Sequence, residues 1–176
     1  EFKRSQTLEE IIAKRVELLT AYQDAAYAKQ YSDFVAQVQA AESAFGSKKL
    51  TEAVARYMYK LMAYKDEYEV ARLHSDPAFR EKIANMFEGD YKLKFHLAPP
   101  LLAKKDKDGH LVKQEFGPWM LKAFSVLAKF KGLRGTALDV FGYTAERKME
   151  RALIGEYRNT VASLLGKLDA DNLATA

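Results

Sequence analysis

From Thr7 to Phe45 the chain carries neither Gly nor Pro, and no other feature limits its fold as much. Nothing in that run obliges the backbone to turn, and its apolar residues recur at helical spacing. Leu8, Ile12, Val16 and Leu19 form one such series, and Phe34, Val38, Ala41 and Phe45 another. Thr7-x-x-Glu10 reads as a capping box at the start. The pattern predicts one long helix ending at Gly46, about 58 Å in length. Tyr31-Ser32-Asp33 is the expected place for a break if there are two helices.

A second Gly- and Pro-free stretch, "YMYKLMAYKDEYEVARL" from Tyr57 to Leu73, is both aromatic and charged. At about 100° per residue, Tyr57, Leu61, Tyr64 and Tyr68 share one stripe, and Met58, Met62, Val70 and Leu73 share a broader face. A helix apolar on two sides reads as a central one with partners on both. Thr51 is the expected cap, and the turn at Gly46-Ser47 makes this helix antiparallel to the first. Asp66 falls in the apolar face. Buried there, it must be paired, and an Arg or Tyr of a neighbouring helix is the expected partner.

Further along, Asp76-Pro77 opens a helix that runs toward Gly89. In "YKLKFHL", Tyr91, Leu93, Phe95 and Leu97 alternate with polar residues, as in a strand with one buried face. "LLAKKDKDGHLVKQEF" places Asp108-Gly109 between two short arms and reads as a hairpin. Gly117-Pro118 opens a helix with Gly132 at its end, and Thr144 caps the last long one, with Met149, Leu153, Tyr157, Val161, Leu164 and Leu168 as its face. The fold class is therefore mainly α. It comprises about five or six helices, a long N-terminal helical hairpin and a small antiparallel β element of two or three strands.

A length of 176 residues with 48% hydrophobic content suits a single helical domain, residues 1–176. Leu168 to Leu173 reads as one helix stopping and another being capped, so the expectation is a piece of a longer protein, cut at its C-terminus. There is no run of eighteen apolar residues, so no membrane partner is expected. The absence of Cys removes disulfides, thiolate metal sites and cysteine nucleophiles, and fits a cytoplasmic setting.

The net charge of +4 is unevenly placed, because residues 101–134 carry eight Lys/Arg against three acidic residues. Lys104, Lys105, Lys107 and Lys113, with Trp119 nearby, are the candidate interaction surface. They suit an acidic partner or, failing that, a solvated turn. Nucleic acid is the weaker alternative, since no helix-turn-helix, zinc-finger or RNA-recognition signature accompanies the lysines.

His74, His96 and His110 show no metal-ligand spacing, and no phosphate-binding glycine motif occurs. No residue is assigned a catalytic, cofactor-binding or metal-binding role. A free-standing basic binding module remains an alternative, as does a small-molecule pocket between the tyrosine stripe and the hairpin.

Several stretches together carry a resemblance: "LTAYQDAAYAKQY", "AVARYMYKLMAYKDEYEVARL", "FEGDYKLKFHLAPPLL", "GPWMLKAF" and "LRGTALDVFGYTAERKMERALI". From about Leu8 to Leu168 the chain resembles the C-terminal region of bacterial fused indolepyruvate ferredoxin oxidoreductases, in the 2-oxoacid:ferredoxin oxidoreductase family. The resemblance implies a parent that oxidatively decarboxylates an aryl 2-oxoacid to its acyl-CoA and reduces ferredoxin. Thiamine diphosphate, magnesium and iron–sulfur clusters would serve that reaction in other domains, with no cofactor in this chain. The implied partners are those other domains and ferredoxin.

Overall fold

The computed structural model describes residues 6–97, 107, 112–169 and 172. The fold is mainly α with one two-stranded antiparallel sheet. The chain divides into two compact units, Glu1–Tyr64 with Thr144–Ala176, and Lys65–Tyr143.

The first unit packs α1 (Leu8–Tyr22), α2 (Ala25–Ser43), α3 (Lys49–Met62) and the last helix, α7 (Ala145–Leu165). Thr7 and Glu10 form the capping box, the Glu10 carboxylate accepting from the Thr7 amide at 2.9 Å and the Thr7 hydroxyl from the Glu10 amide at 3.2 Å. The long helix expected over residues 7–45 is in fact two. It breaks at Gln23–Asp24 rather than at Tyr31-Ser32-Asp33, because the Asp24 carboxylate accepts from the Tyr27 amide at 2.8 Å and starts a new helix. Tyr31 instead sits in the core, fully buried.

The side chains of Leu50, Val54, Met58 and Met62 recur every four residues on α3 and meet Leu19, Phe34, Val35 and Val38 in the core. Each such aliphatic side chain, once buried, stabilises the fold by roughly 1.5–3 kcal/mol. Tyrosine fills the remaining space where a ring needs burial and a hydroxyl needs a partner. The hydroxyls of Tyr27 and Tyr22 donate to the carbonyls of Met62 and Tyr64, each at 2.9 Å, and so satisfy acceptors that the end of α3 leaves open. Tyr31 donates to the Ala55 carbonyl at 2.9 Å.

Thr51 is not the cap of α3. The helix starts at Lys49, and its N-cap, Lys48, offers no side-chain acceptor. Glu42, fully buried at the end of α2, does the capping from outside. Its carboxylate accepts from the amides of Leu50 (2.9 Å) and Thr51 (2.8 Å) and from the Thr51 hydroxyl (2.7 Å). On α7, capped by Thr144, the packed apolar residues are Ile154, Tyr157, Val161 and Leu165, and Leu168 just after the helix joins them. Met149 and Leu153, expected on that face, are exposed, and the apolar packing of α7 starts at Ile154.

The second unit contains α4 (Glu67–Ser75), α5 (Pro77–Ala84), β1 (Phe95–Leu97), β2 (Gln114–Phe116) and α6 (Met120–Leu127), followed by a 3-10 segment, Ala128–Leu133. The stretch from Tyr57 to Leu73 is thus not one helix. It stops at Met62, and Asp66 starts the next as N-cap, its carboxylate accepting from the Glu69 amide at 2.8 Å. The predicted tyrosine stripe goes with it, since Tyr57 lies exposed under the Lys60 ammonium while Tyr64 and Tyr68 are buried.

Asp76-Pro77 does open α5, which ends at Ala84 rather than near Gly89. β1 is shorter than the alternation suggested, and Tyr91 is exposed against Phe87. Phe95 pairs with Phe116 and His96 with Glu115. The expected Asp108-Gly109 turn lies outside the described residues. Gly132 does not end α6, which tightens into the 3-10 segment and stops at Arg134, with Gly135 at φ 76°. The small core of this unit joins Ala71, Phe95, Met120 and Phe124.

Burial would raise the pKa of Glu42, but hydrogen bonds from Thr51, Ser47 and the amides of Thr51 and Leu50 outweigh it and hold the carboxyl below its ordinary 4.5. A pKa lowered by folding contributes stability that is complete above about pH 4.5 and is lost as pH falls through the folded-state value. Glu42→Ala should cost roughly 3 kcal/mol at pH 7, because buried donors lose their acceptor. Urea melts between pH 7 and pH 3 should also show a smaller acid-induced loss in Glu42→Gln than in the parent chain.

Candidate functional site

The densest set of buried polar groups lies where α4 begins. Asp66, Tyr68, Arg134 and Asp139 are each less than 5% exposed. Asp66 is placed by its role as N-cap. Arg134 is placed by the end of the 3-10 segment, where its amide bonds to the Lys131 carbonyl at 3.2 Å. The guanidinium grips the carboxylate with two bonds. Nε donates to Oδ2, and the second terminal nitrogen, Nη2, donates to Oδ1 at 2.9 Å. Such a fork fixes geometry as well as charge.

Arg134 also lies over the Tyr68 ring, 5.7 Å from its centroid, and Phe141 meets that ring edge-on at 5.3 Å. The Asp139 carboxylate lies near the Tyr68 hydroxyl. Asp139 in turn accepts from the amides of Gly135 (2.8 Å) and Gly142 (3.0 Å) and organises the loop after the 3-10 segment. The Asp66–Arg134 pair and the ring contacts of Tyr68 therefore join the start of α4 to residues 134–142. Burial, reinforced by the Asp139 and Asp66 carboxylates, pushes the Tyr68 hydroxyl up to about 12, although Arg134 pulls the other way.

The contacts described tie the start of α4 to Arg134 and tie Asp139 to its own loop, so the cluster works as a clamp. Sequence reasoning singled out Asp66 and an arginine partner in general terms, but missed Arg134, Asp139 and Tyr68. The available signal was Arg134 beside Gly135, with Asp139 four residues on, a spacing that lets an Asp carboxylate bond back to its own loop.

Three of the five predicted surface residues fall among the described residues. Lys107 and Lys113 are exposed, while Lys104 and Lys105 lie outside the described residues. Trp119 is 59% exposed and meets Phe116 edge-on at 6.1 Å. His74 packs among Phe79, Phe95 and Phe124, with Nδ1 2.8 Å from the Val70 carbonyl oxygen. His96 is exposed, and His110 lies outside the described residues. A wide hollow on α1, lined by Gln6, Glu10, Ala13, Lys14 and Glu17, opens to solvent.

The chain belongs to the family of unknown function DUF6537. The match covers residues 8–176. No curated protein and no solved structure matches the chain. Among the described residues of this family member, no helix is long and apolar enough to cross a membrane. The chain has no Cys for an iron–sulfur cluster, and the described residues hold no group of three or more His, Asp or Glu suited to a metal ion.

Removing one partner of a buried ion pair leaves an uncompensated charge, which costs about 3–5 kcal/mol. Arg134→Met should therefore sharply reduce amide-exchange protection across α4, and Asp66→Asn/Arg134→Met should recover much of it. Tyr68 should be among the last of the tyrosines to ionise in a spectrophotometric titration. A raised pKa contributes stability that is complete below about pH 10 and lost as pH climbs toward 12, so Tyr68→Phe should lose less stability over that interval than the parent chain.

Proposed function

We propose that the chain is a non-catalytic interaction domain from the C-terminal region of an indolepyruvate-type 2-oxoacid:ferredoxin oxidoreductase. One observation of the structure carries the interaction role. Eleven of the fifteen exposed large apolar side chains among the described residues lie between Leu73 and Tyr143. Apolar surface gathered in this way marks a contact with another protein surface more often than a solvated face. The resemblance from Leu8 to Leu168 supplies the parent.

In this reading the parent acts in the cytoplasm, converts an aryl 2-oxoacid to its acyl-CoA and passes electrons to ferredoxin. Thiamine diphosphate, magnesium and iron–sulfur clusters supply that chemistry in its other domains. The present chain positions those domains or helps to receive ferredoxin, where complementary charge mainly raises the encounter rate. Exposed Lys107 and Lys113 face solvent on the same unit as the apolar side chains and suit an acidic docking surface.

The test is the parent enzyme lacking these residues, assayed for substrate-dependent reduction of ferredoxin and of a small artificial dye. Dye reduction that survives while ferredoxin reduction fails assigns the domain to electron delivery. If both are lost and both return when the separate domain is added, it holds the catalytic body together. If neither changes, the proposal fails and a free-standing basic binding module takes its place.

A further inference from the structure

Two helices carry apolar side chains on exposed faces, and the charged residues in line with those side chains are of opposite sign. Along α6 and the 3-10 segment, Trp119, Lys122, Val126 and Lys129 are all exposed at the 3-4-3 spacing of one helical stripe, and exposed Phe130 adjoins its end. Met120 and Phe124 fill the opposite, buried face. Residues 117–133 contain no Asp or Glu. Along α7, Glu146, Met149, Leu153 and Glu156 are exposed at the same 3-4-3 spacing. The packed face of that helix is carried by Ile154, Tyr157 and Val161.

Lys122, Lys129, Glu146 and Glu156 make no ion pair with any described residue. Lys122 and Lys129 lie about 11 Å apart along their stripe and Glu146 and Glu156 about 15 Å apart along theirs, a difference that long lysine side chains span. One stripe places cations on either side of an apolar centre. The other places carboxylates on either side of two apolar side chains.

We propose that these stripes are an interface between two copies of this chain, the α6 stripe of one copy lying against the α7 stripe of the other. Each copy offers both stripes, and the pair joins the α6 stripe of one to the α7 stripe of the other. Val126 against Met149 and Leu153 forms the dehydrated centre, Trp119 and Phe130 extend the apolar contact at the two ends of the stripe, and aromatic side chains of this kind dominate interface energetics. The lysine–glutamate pairs lie at the rim, where they select the partner and its register. This pairing does not depend on the oxidoreductase reading.

The test is sedimentation velocity on the chain from about 1 to 300 µM, a range that spans weak self-association. Trp119 is the only tryptophan, so its emission reports burial of the stripe directly. The mass should rise with concentration from 20.0 kDa toward twice that value, with a blue shift of the emission. Raising the salt from about 0.1 to 1 M should weaken the association, as screening shortens the reach of the rim charges.

Lys122→Glu/Lys129→Glu and Glu146→Lys/Glu156→Lys should each stay monomeric with an unchanged circular dichroism spectrum. An equimolar mixture of the two should dimerise, because each reversed stripe then meets its complement on the other chain. Val126→Ser, which leaves all four charges in place, should weaken the pair at least tenfold. Three results would overturn the proposal: a monomer at every concentration, a dimer that survives both reversals, or a mixture that does not associate. A monomer whose Trp119 emission shifts only on phosphatidylserine vesicles would assign the α6 stripe to a lipid surface instead.

Discussion

The amides at the start of a helix have no partner within it, and in this chain carboxylates supply most of what is missing. Asp24, Asp66 and Asp76 each accept from the first turn of the helix they precede. Glu42 performs the same service for α3 from the end of α2. Asp139 does it for a loop. A carboxylate here satisfies two needs at once, since it accepts a hydrogen bond and places negative charge at the positive end of the helix dipole. The positions of these residues therefore decide where the helices begin. The helix starts decide which tyrosines and methionines face inward.

Much of this architecture is legible in the sequence, and what is not has a common cause. The Thr7–Glu10 box, Asp76-Pro77, Gly117-Pro118 and Thr144 all signal within four residues of the helix they start, so local reading finds them. Asp24 and Asp66 are just as local but lack a Gly or Pro beside them. Both lie inside runs whose apolar spacing continues across the break, and periodicity alone carries the helix straight through. The lesson is specific: an Asp flanked by helix formers can end one helix and start the next without a flexible residue. Glu42 and Arg134 are different. Glu42 serves a helix eight residues away, and Arg134 meets Asp66 across 68 positions, so neither partner is set by local spacing.

The Asp66–Arg134 pair explains why the second unit holds its form around so small a core. Desolvating two charges offsets much of their attraction, so the pair adds little net stability compared with apolar residues of the same volume. Its contribution is selectivity. A guanidinium bonded by two nitrogens to one carboxylate admits one placement of the 3-10 segment against α4. Tyr68 and Asp139 extend that choice to residues 135–142. A core built from Ala71, Phe95, Met120 and Phe124 lacks the shape to impose it alone.

The same smallness bears on function. A short segment buries little of its apolar surface by itself, and the burial α5 achieves is slight: none of its residues is buried. Apolar side chains that a larger core would enclose stay on the outside of this unit, with lysines among them. Inside, Asp66 is bonded to Arg134, and Asp66 and Asp139 each accept from backbone amides, which holds them in position. A fixed interior of this kind holds the apolar and cationic side chains outside it in place, and a surface held in place suits the docking role proposed above.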